Sequence, residues 1–334
     1  MKLSKKRIAV IAVLVLTLFL AAGCNAGNNQ EPVVQLNKIT VLLDWTPNTN
    51  HTGIYAAREL GYYKDRGLDV EIVQPSEGGT SQLIAAGQGD FGFSYQEEVT
   101  IARTKGLPVK ALAAVIQHNT SGFASPVEKG IETPKDFEGK KYGGWGSPAE
   151  EAMIKALMNR AGADFSRVEM INIGTSDFFT SIAKDVDFAW IYWGWTGIES
   201  GLREVPLNFI RLTDYSAVLD FYSPVLIAAE STVADRPELV AAFIAATAQG
   251  YEYCIEHPQE AGQILLDSVP ELNAGLVLAS QEYLAGQYRA DAAAWGQMSA
   301  ARWENYAAWM YEQGLIEQPL AAEKAFTNEF LPGE

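Results

Sequence analysis

Short apolar runs alternate with helix-spaced segments over most of this chain, and that alternation limits the folds open to it. Ile39–Leu43 reads as a strand, residues 53–65 as a helix, Val70–Val73 as a strand and Thr80–Gln88 as a short helix. Phe91–Tyr95 and Val109–Ile116 read as further strands. Beyond Lys140–Gly143, helical spacing covers Pro148–Ala161, and strand-like runs follow at Val168–Ile173, Phe188–Trp193, Leu207–Arg211 and Val225–Ala229. Strands that alternate with helices imply parallel α/β sheets with helices on their faces. At 334 residues, 48% of them apolar, the chain has enough material for two lobes. From Arg236 onward the pattern is helical with few breaks. Trp303, Tyr306 and Met310 fall at i, i+3 and i+7, the signature of one buried helix face.

The first 23 residues are of another kind. Lys2, Lys5, Lys6 and Arg7 precede an apolar run, Ile8 to Ala22, too short for a spanning helix of about 20 residues. A basic start and a short apolar run fit a secretory signal peptide over residues 1–23. Leu20-Ala21-Ala22-Gly23-Cys24 resembles a bacterial lipobox, which makes Cys24 the expected lipid attachment site; the departure is Ala21, where Leu, Val or Ile is usual. Residues 24–35 are polar and read as a tether. Removing the four leader cations from 25 Lys and Arg leaves 21 against 41 Asp and Glu, a formal charge of −20. Such a surface repels phosphate backbones and excludes nucleic acid as a partner. His51, His118 and His257 lie at no metal-ligand spacing, so no metal site is expected, and Cys254 reads as a small core residue.

Several strand ends, where open α/β sheets bind ligands, carry more polar and aromatic groups than turns require. In Asp44-Trp45-Thr46-Pro47-Asn48-Thr49-Asn50-His51-Thr52-Gly53, Asn50 or Thr52 would cap the next helix. The remaining amides and hydroxyls, with the flat rings of Trp45 and His51, point to a ligand. Ser76-Glu77-Gly78-Gly79-Thr80-Ser81 reads equally as N–H groups aimed at an acceptor or as a capped turn. In Phe93-Ser94-Tyr95-Gln96-Glu97-Glu98 the acids suit a first helical turn, which leaves Ser94 and Tyr95 unexplained. Tyr142-Gly143-Gly144-Trp145-Gly146-Ser147-Pro148 has an N-cap in Ser147 and a first helical residue in Pro148, with Glu150 and Glu151 behind. Capping does not account for Trp145; a ring set between glycines makes a stacking platform. Along Phe188–Thr196, Phe188, Trp190 and Tyr192 alternate with Ala189, Ile191 and Trp193, and the terminal Tyr192, Trp193 and Trp195 are assigned to a pocket.

The stretches LLDWTPNTNHTGIYAARELGYYKDRGLDVEI, KKYGGWGSPAEEAMIKALM and DFAWIYWGWTGIE carry a specific resemblance. Over roughly residues 37–330 the chain resembles the substrate-binding lipoproteins of ABC importers. Within them it is similar to the pyrimidine-synthase-like, thiamin-precursor group related to sulfonate- and nitrate-binding proteins. The resemblance implies an α/β, two-lobed periplasmic-binding-protein (Venus flytrap) fold of type II, hinged on two crossing strands near Asn119–Ala124 and Asp220–Ser223. Lobe one would be residues 36–120 and 224–334, and lobe two 121–223. The implied ligand is formyl-aminopyrimidine or hydroxymethylpyrimidine. A flat aminopyrimidine needs aromatic faces and paired donors and acceptors at its edge. Trp45, Trp145, Tyr192 and Trp193 would supply faces. Asn48, Asn50, Ser94, Glu97 and Ser147 would supply edges, and Asp44, His51, Tyr95, Glu150 and Tyr222 complete the candidate set. The implied partners are an ABC permease and its ATPase subunits. The protein is expected as a monomer, lipid-anchored at the outer face of the cytoplasmic membrane, with no cofactor and no catalytic residue.

Four other readings compete. A fungal pyrimidine synthase of the same fold builds the ring from its own histidine and pyridoxal phosphate, and His51 occupies the corresponding place. Its cysteine-rich motif is absent here, and no Lys lies in the ligand loops for a Schiff base. Riboflavin, bound by related lipoproteins, also suits Trp and Tyr. A sulfonate would call for Arg, which none of the five stretches contains. A purely adhesive lipoprotein leaves the ligand-type side chains without a purpose.

Overall fold

The computed structural model describes residues 36–75, 79–174 and 176–333. The expected signal peptide, the tether, Cys24 and Ser76–Gly78 of the second loop lie outside the described residues. Ten strands form two five-stranded sheets among those described. The first sheet holds β1 (Asn37–Leu42), β2 (Leu68–Val73), β3 (Phe91–Ser94), β4 (Val109–Ala114) and β10 (Val225–Ala229). The second holds β5 (Ser121–Pro126), β6 (Lys141–Gly144), β7 (Glu169–Asn172), β8 (Phe188–Tyr192) and β9 (Leu207–Arg211). The helices of eight or more residues are α1 (Thr52–Glu59), α2 (Gln96–Thr104), α3 (Pro148–Arg160), α4 (Pro237–Glu256), α5 (Pro258–Ser268), α6 (Ala274–Ala285) and α7 (Ala300–Glu312).

The strand orders, β2-β1-β3-β10-β4 and β7-β6-β8-β5-β9, follow one plan. In each sheet the strand that has just arrived from the other sheet runs antiparallel. β10 does so between β3 and β4, and β5 between β8 and β9. The pairs β1–β2, β1–β3, β6–β7 and β6–β8 are parallel, as the strand–helix alternation requires. β3, β5 and β10 are buried along their whole length, which explains their apolar, small-residue sequences. The chain has joined the second sheet by Ser121, since Ser121–Ala124 already pair with Tyr192–Ala189.

Two connections join the sheets, between Ala114 and Ser121 and between Arg211 and Val225. Asp220 ties them together. Its Oδ1 accepts the Asn119 N–H at 2.9 Å, and its Oδ2 meets His118 Nδ1 at 2.7 Å and Arg302 Nη2 at 3.2 Å. Gln96, fully buried, clasps the second connection to α2: its N–H donates to the Tyr222 carbonyl at 3.1 Å and its Oε1 accepts the Tyr222 N–H at 2.8 Å.

The C-terminal part is less continuously helical than its pattern suggests. Residues 286–299 form no helix, yet Trp295 is buried there, with its Nε1–H on the Val115 carbonyl at 3.3 Å. The apolar spacing in that stretch reflects a loop packed on the core. The expected buried face of α7 is present but serves two cores. Trp303 packs with Tyr222, Val225 and Ile227 of the first sheet's cluster, whereas Tyr306 and Met310 pack with Phe123, Trp190 and Phe221 of the second. Helix α7 therefore bridges both lobes beside the connections. Cys254 is a buried free thiol in the first core, and burial pushes its pKa up.

Helices α1 and α4 approach closely through glycine. A Cβ on Gly250 would come within 2.0 Å of the Gly53 carbonyl oxygen, and one on Gly53 within 2.4 Å of the Tyr251 ring. Backbone cannot yield as a flexible side chain does, so Gly250→Ala is expected to lower stability by about 1–3 kcal/mol. An unchanged urea midpoint would refute this close packing.

Candidate functional site

The loop after β1 is organised around two buried side chains. Asn48, expected as a ligand edge, caps the turn Thr49–His51: its Oδ1 accepts the Asn50 N–H at 2.8 Å and its Nδ2 donates to the Thr46 carbonyl at 2.9 Å. His51 is fully buried. Its Nδ1 accepts the Asn48 N–H at 3.2 Å, so the proton sits on Nε2, which meets Asp44 Oδ1 at 2.7 Å. Both ring nitrogens of His51, expected as a ligand contact, are engaged within the protein, and the ring stands edge-on to Phe93 at 4.7 Å. Asp44 Oδ2 accepts the Tyr95 hydroxyl at 2.5 Å. Burial alone would raise the Asp44 pKa, but the His51 and Tyr95 contacts outweigh it and hold the carboxyl below its ordinary range. Trp45 is half exposed, and the Asn50 backbone carbonyl accepts the Tyr251 hydroxyl at 2.6 Å.

Helix α2 begins at the end of β3. Ser94, fully buried, donates to Glu98 Oε2 at 3.0 Å and shares a hydrogen bond with Ser81 at 2.9 Å. Thr80 donates to the Leu43 carbonyl at 3.0 Å, so the hydroxyls of Thr80 and Ser81 are both taken up within the protein. Burial raises the Glu98 pKa despite the Ser94 bond. Glu97 is pushed up to about 8, first by burial and then by the charges of Glu98 and Glu150.

The lobe-two side answers why a tryptophan sits between glycines. Glu150 is buried, and its two oxygens gather four donors. Oε1 accepts the Tyr142 hydroxyl at 2.6 Å and the Trp145 N–H at 3.2 Å; Oε2 accepts the Gly146 and Ser147 N–H groups, each at 2.8 Å. The loop wraps this carboxylate so closely that a Cβ on Gly144 would lie 2.1 Å from Oε1. Gly146 turns the chain at φ +89°, which side chains disfavour. Ser147 caps α3 by accepting the Ala149 N–H at 3.2 Å. The outcome is a Trp145 indole held outward, 49% exposed, 5.6 Å from the Trp190 ring. Glu150, expected as a ligand contact, is thus the anchor of the loop, with both oxygens engaged by the loop and Tyr142.

Strand alternation in β8 holds: Phe188 and Trp190 join one core cluster, Ala189 and Ile191 the other. Tyr192 continues the first face. Burial raises its pKa, and the charges of Glu97, Asp44 and Glu98 add to the rise; its hydroxyl accepts from Ser223 at 3.2 Å. Trp193, expected as a ligand face, turns to the other face and packs on Phe209 at 4.8 Å. Trp195 packs against the first core. Tyr222 is buried beneath the Arg302 guanidinium at 4.5 Å, and its hydroxyl accepts the Ser299 N–H at 2.8 Å. It lies on the inter-lobe connection.

Asp44, Tyr95, Glu97 and Glu98 from one lobe and Trp145, Glu150 and Tyr192 from the other therefore share one acidic region. Of the described ion pairs, only that of His51 reaches any of these carboxylates. Two donors here were not identified from the sequence. Trp190 Nε1–H and the Tyr306 hydroxyl are buried without a hydrogen-bond partner, and the Tyr306 pKa is raised by burial, Glu97 and Tyr192. A Tyr in place of Phe on a buried helix face was the one available signal for Tyr306. Among the described residues, no group of three or more His, Cys, Asp or Glu is placed to hold a metal.

The profile of the NMT1/THI5-like family matches residues 48–261, and the chain belongs to that family. A formylaminopyrimidine-binding protein of Halalkalibacterium halodurans is 31% identical over 97% of this chain and 99% of its own length. A riboflavin-binding protein, RibY, of Chloroflexus aurantiacus is 24% identical over 98% of this chain and 99% of its own. A 4-amino-5-hydroxymethyl-2-methylpyrimidine phosphate synthase of Legionella pneumophila is 27% identical over 72% of this chain and 76% of its own. Among solved structures, the periplasmic nitrate-binding protein NrtA from Synechocystis PCC 6803 matches with a TM-score of 0.68 at 13% identity, over 89% of this chain and 87% of that one. The fold is that of the two-lobed periplasmic binding proteins.

Replacing Glu150 by Gln sets an amide NH2 against N–H donors and removes the charge they solvate. Glu150→Gln is expected to cost about 2–4 kcal/mol of stability, while Glu151→Gln, an exposed i,i+4 partner of Lys155, changes it by less than about 0.5 kcal/mol. Equal urea midpoints for the two variants would show that the loop does not depend on this carboxylate.

Proposed function

We propose that this chain is an extracytoplasmic solute-binding subunit that captures an aminopyrimidine, formylaminopyrimidine or 4-amino-5-hydroxymethyl-2-methylpyrimidine, and delivers it to an ABC permease without altering it. The observation that carries this reading is the outward indole of Trp145, fixed by the loop anchored on Glu150, in a region whose Glu97 and Glu98 enter no described ion pair. A stacking ring beside acceptors suits a flat ligand that carries an amine. Trp145 and Tyr192 would supply faces, with Trp45 at the rim. Glu97, with Asp44, Tyr95, Ser94, Asn50 and Ser147 around it, would form the polar edge. The formylaminopyrimidine-binding relative, similar over nearly the full length of both chains, supports this ligand class.

Capture without chemistry is supported by His51. A histidine consumed as a substrate must be reached by its co-reactant, and this one is fully buried behind Asp44 with both nitrogens engaged. Closure follows from differential contact: a ligand touching both lobes binds the closed state better and shifts the population toward it. The leader and Cys24 would place the protein on the outer face of the cytoplasmic membrane as a lipid-anchored monomer, where it would meet the permease.

Calorimetric titration of the protein, stripped of copurified ligand by partial unfolding, tests this. One-to-one binding of one of the two aminopyrimidines is expected, weakened about tenfold or more by Trp145→Ala, as loss of an aromatic stack of about 1–3 kcal/mol requires. Binding of riboflavin alone would replace the pyrimidine reading, and binding of neither would overturn capture of a flat heterocycle.

A further inference from the structure

Resting on the aminopyrimidine reading, we infer that Glu97 meets the ligand as part of a one-proton pair: a carboxylic acid gives one donor and one acceptor, side by side, to the ring nitrogen and its neighbouring amine. Capture then requires a proton at this position.

The argument begins with how the four carboxylates of the region are occupied. Asp44 is held by His51 and Tyr95, Glu98 by Ser94, and Glu150 by four donors. Glu97 takes no hydrogen bond from any described residue, and what acts on it is burial and the charges of Glu98 and Glu150. The basic side chains on neighbouring elements are committed elsewhere. His51 serves Asp44; Arg302 of α7 serves Asp220 and the Gln117 carbonyl; Arg103, farther along α2, pairs with Glu230. The remaining polar groups near Glu97 are hydroxyls: Tyr192 at the end of β8 and Tyr306 of α7. The Tyr306 hydroxyl and the Trp190 indole N–H are buried and unpartnered, two donors left for a bound molecule.

An amine beside a ring nitrogen presents a donor next to an acceptor. An ionised carboxylate offers only acceptors, so one of its oxygens would oppose the ring-nitrogen lone pair. A single proton removes that clash, whether it rests on the acid or on the ring. The setting of Glu97 already retains a proton at neutral pH, with a pKa of about 8, and binding above that pH must restore it.

The test is calorimetric titration of the full-length protein with formylaminopyrimidine, and with 4-amino-5-hydroxymethyl-2-methylpyrimidine as second probe, from pH 7 to 9.5. Affinity is expected to fall about 30-fold across that range as Glu97 ionises in the free protein. Titrations in buffers of different ionisation heat should show uptake of about 0.9 proton per site at pH 9 and about 0.1 at pH 7. Glu97→Gln, with a fixed N–H donor and C=O acceptor, should change by less than about twofold over the same interval and take up no proton. A flat parent profile without proton uptake, or an alkaline loss that persists undiminished in Glu97→Gln, would overturn the inference while leaving aminopyrimidine capture intact. Absence of binding to either probe at every pH would overturn the ligand reading and this inference with it.

Discussion

The Glu150 carboxylate, taken out of water and surrounded by one hydroxyl and three backbone N–H groups, is the contact on which the lobe-two half of the site depends. A buried charge is tolerable only when its lone pairs are met. Here the loop that meets them has little freedom left. Gly144 must lack a Cβ, Gly146 must take a positive φ, and Trp145 must point away. The opposite lobe uses the same device at Asp44, which His51 and Tyr95 enclose. Each lobe thus spends one carboxylate on fixing its own loop. Glu97 is the acid left without a donor, and it stands where the lobes face each other.

The connection between the lobes is more than two strands. Asp220 gathers His118, Asn119 and Arg302, and α7 carries Trp303 into one core and Tyr306 into the other. Lobe movement must therefore shear the side chains of α7 or carry the helix with one lobe. Tyr306 lies on that helix, and its hydroxyl feels Glu97 and Tyr192. A bound molecule that used this hydroxyl would tie the brace to the ligand, a direct route from occupancy to closure.

Much of this was legible in the sequence, because local patterns encode local structure. β2, β3, β9 and β10 lie where apolar runs place them, whereas the crossings between the sheets were implied by the family resemblance and not by any local pattern. The loops that carry the site were legible as strand ends with surplus polar and aromatic groups. The role of each residue within them was not. The partners of Asn48 and His51 within their own loop have no signal in the spacing, and Glu150 looks like a helix-start acid although it anchors a loop. Trp193 and Tyr222 are assigned to opposite faces and to the connection by packing on Phe209 and Arg302, residues that no spacing rule links to them. The hydroxyl of Tyr306 was concealed because its helix spacing already gave a sufficient reason for burial.

The central claim is geometric: a flat amine-bearing ring lies against Trp145 with its polar edge at Glu97. The most direct measurement is a crystal structure of the protein with formylaminopyrimidine bound. The account predicts the pyrimidine ring parallel to the Trp145 indole, with its amine and adjacent nitrogen within hydrogen-bond distance of the Glu97 carboxyl. A ring bound away from Trp145, or one whose amine is met by another acid while Glu97 stays unpartnered, would contradict it.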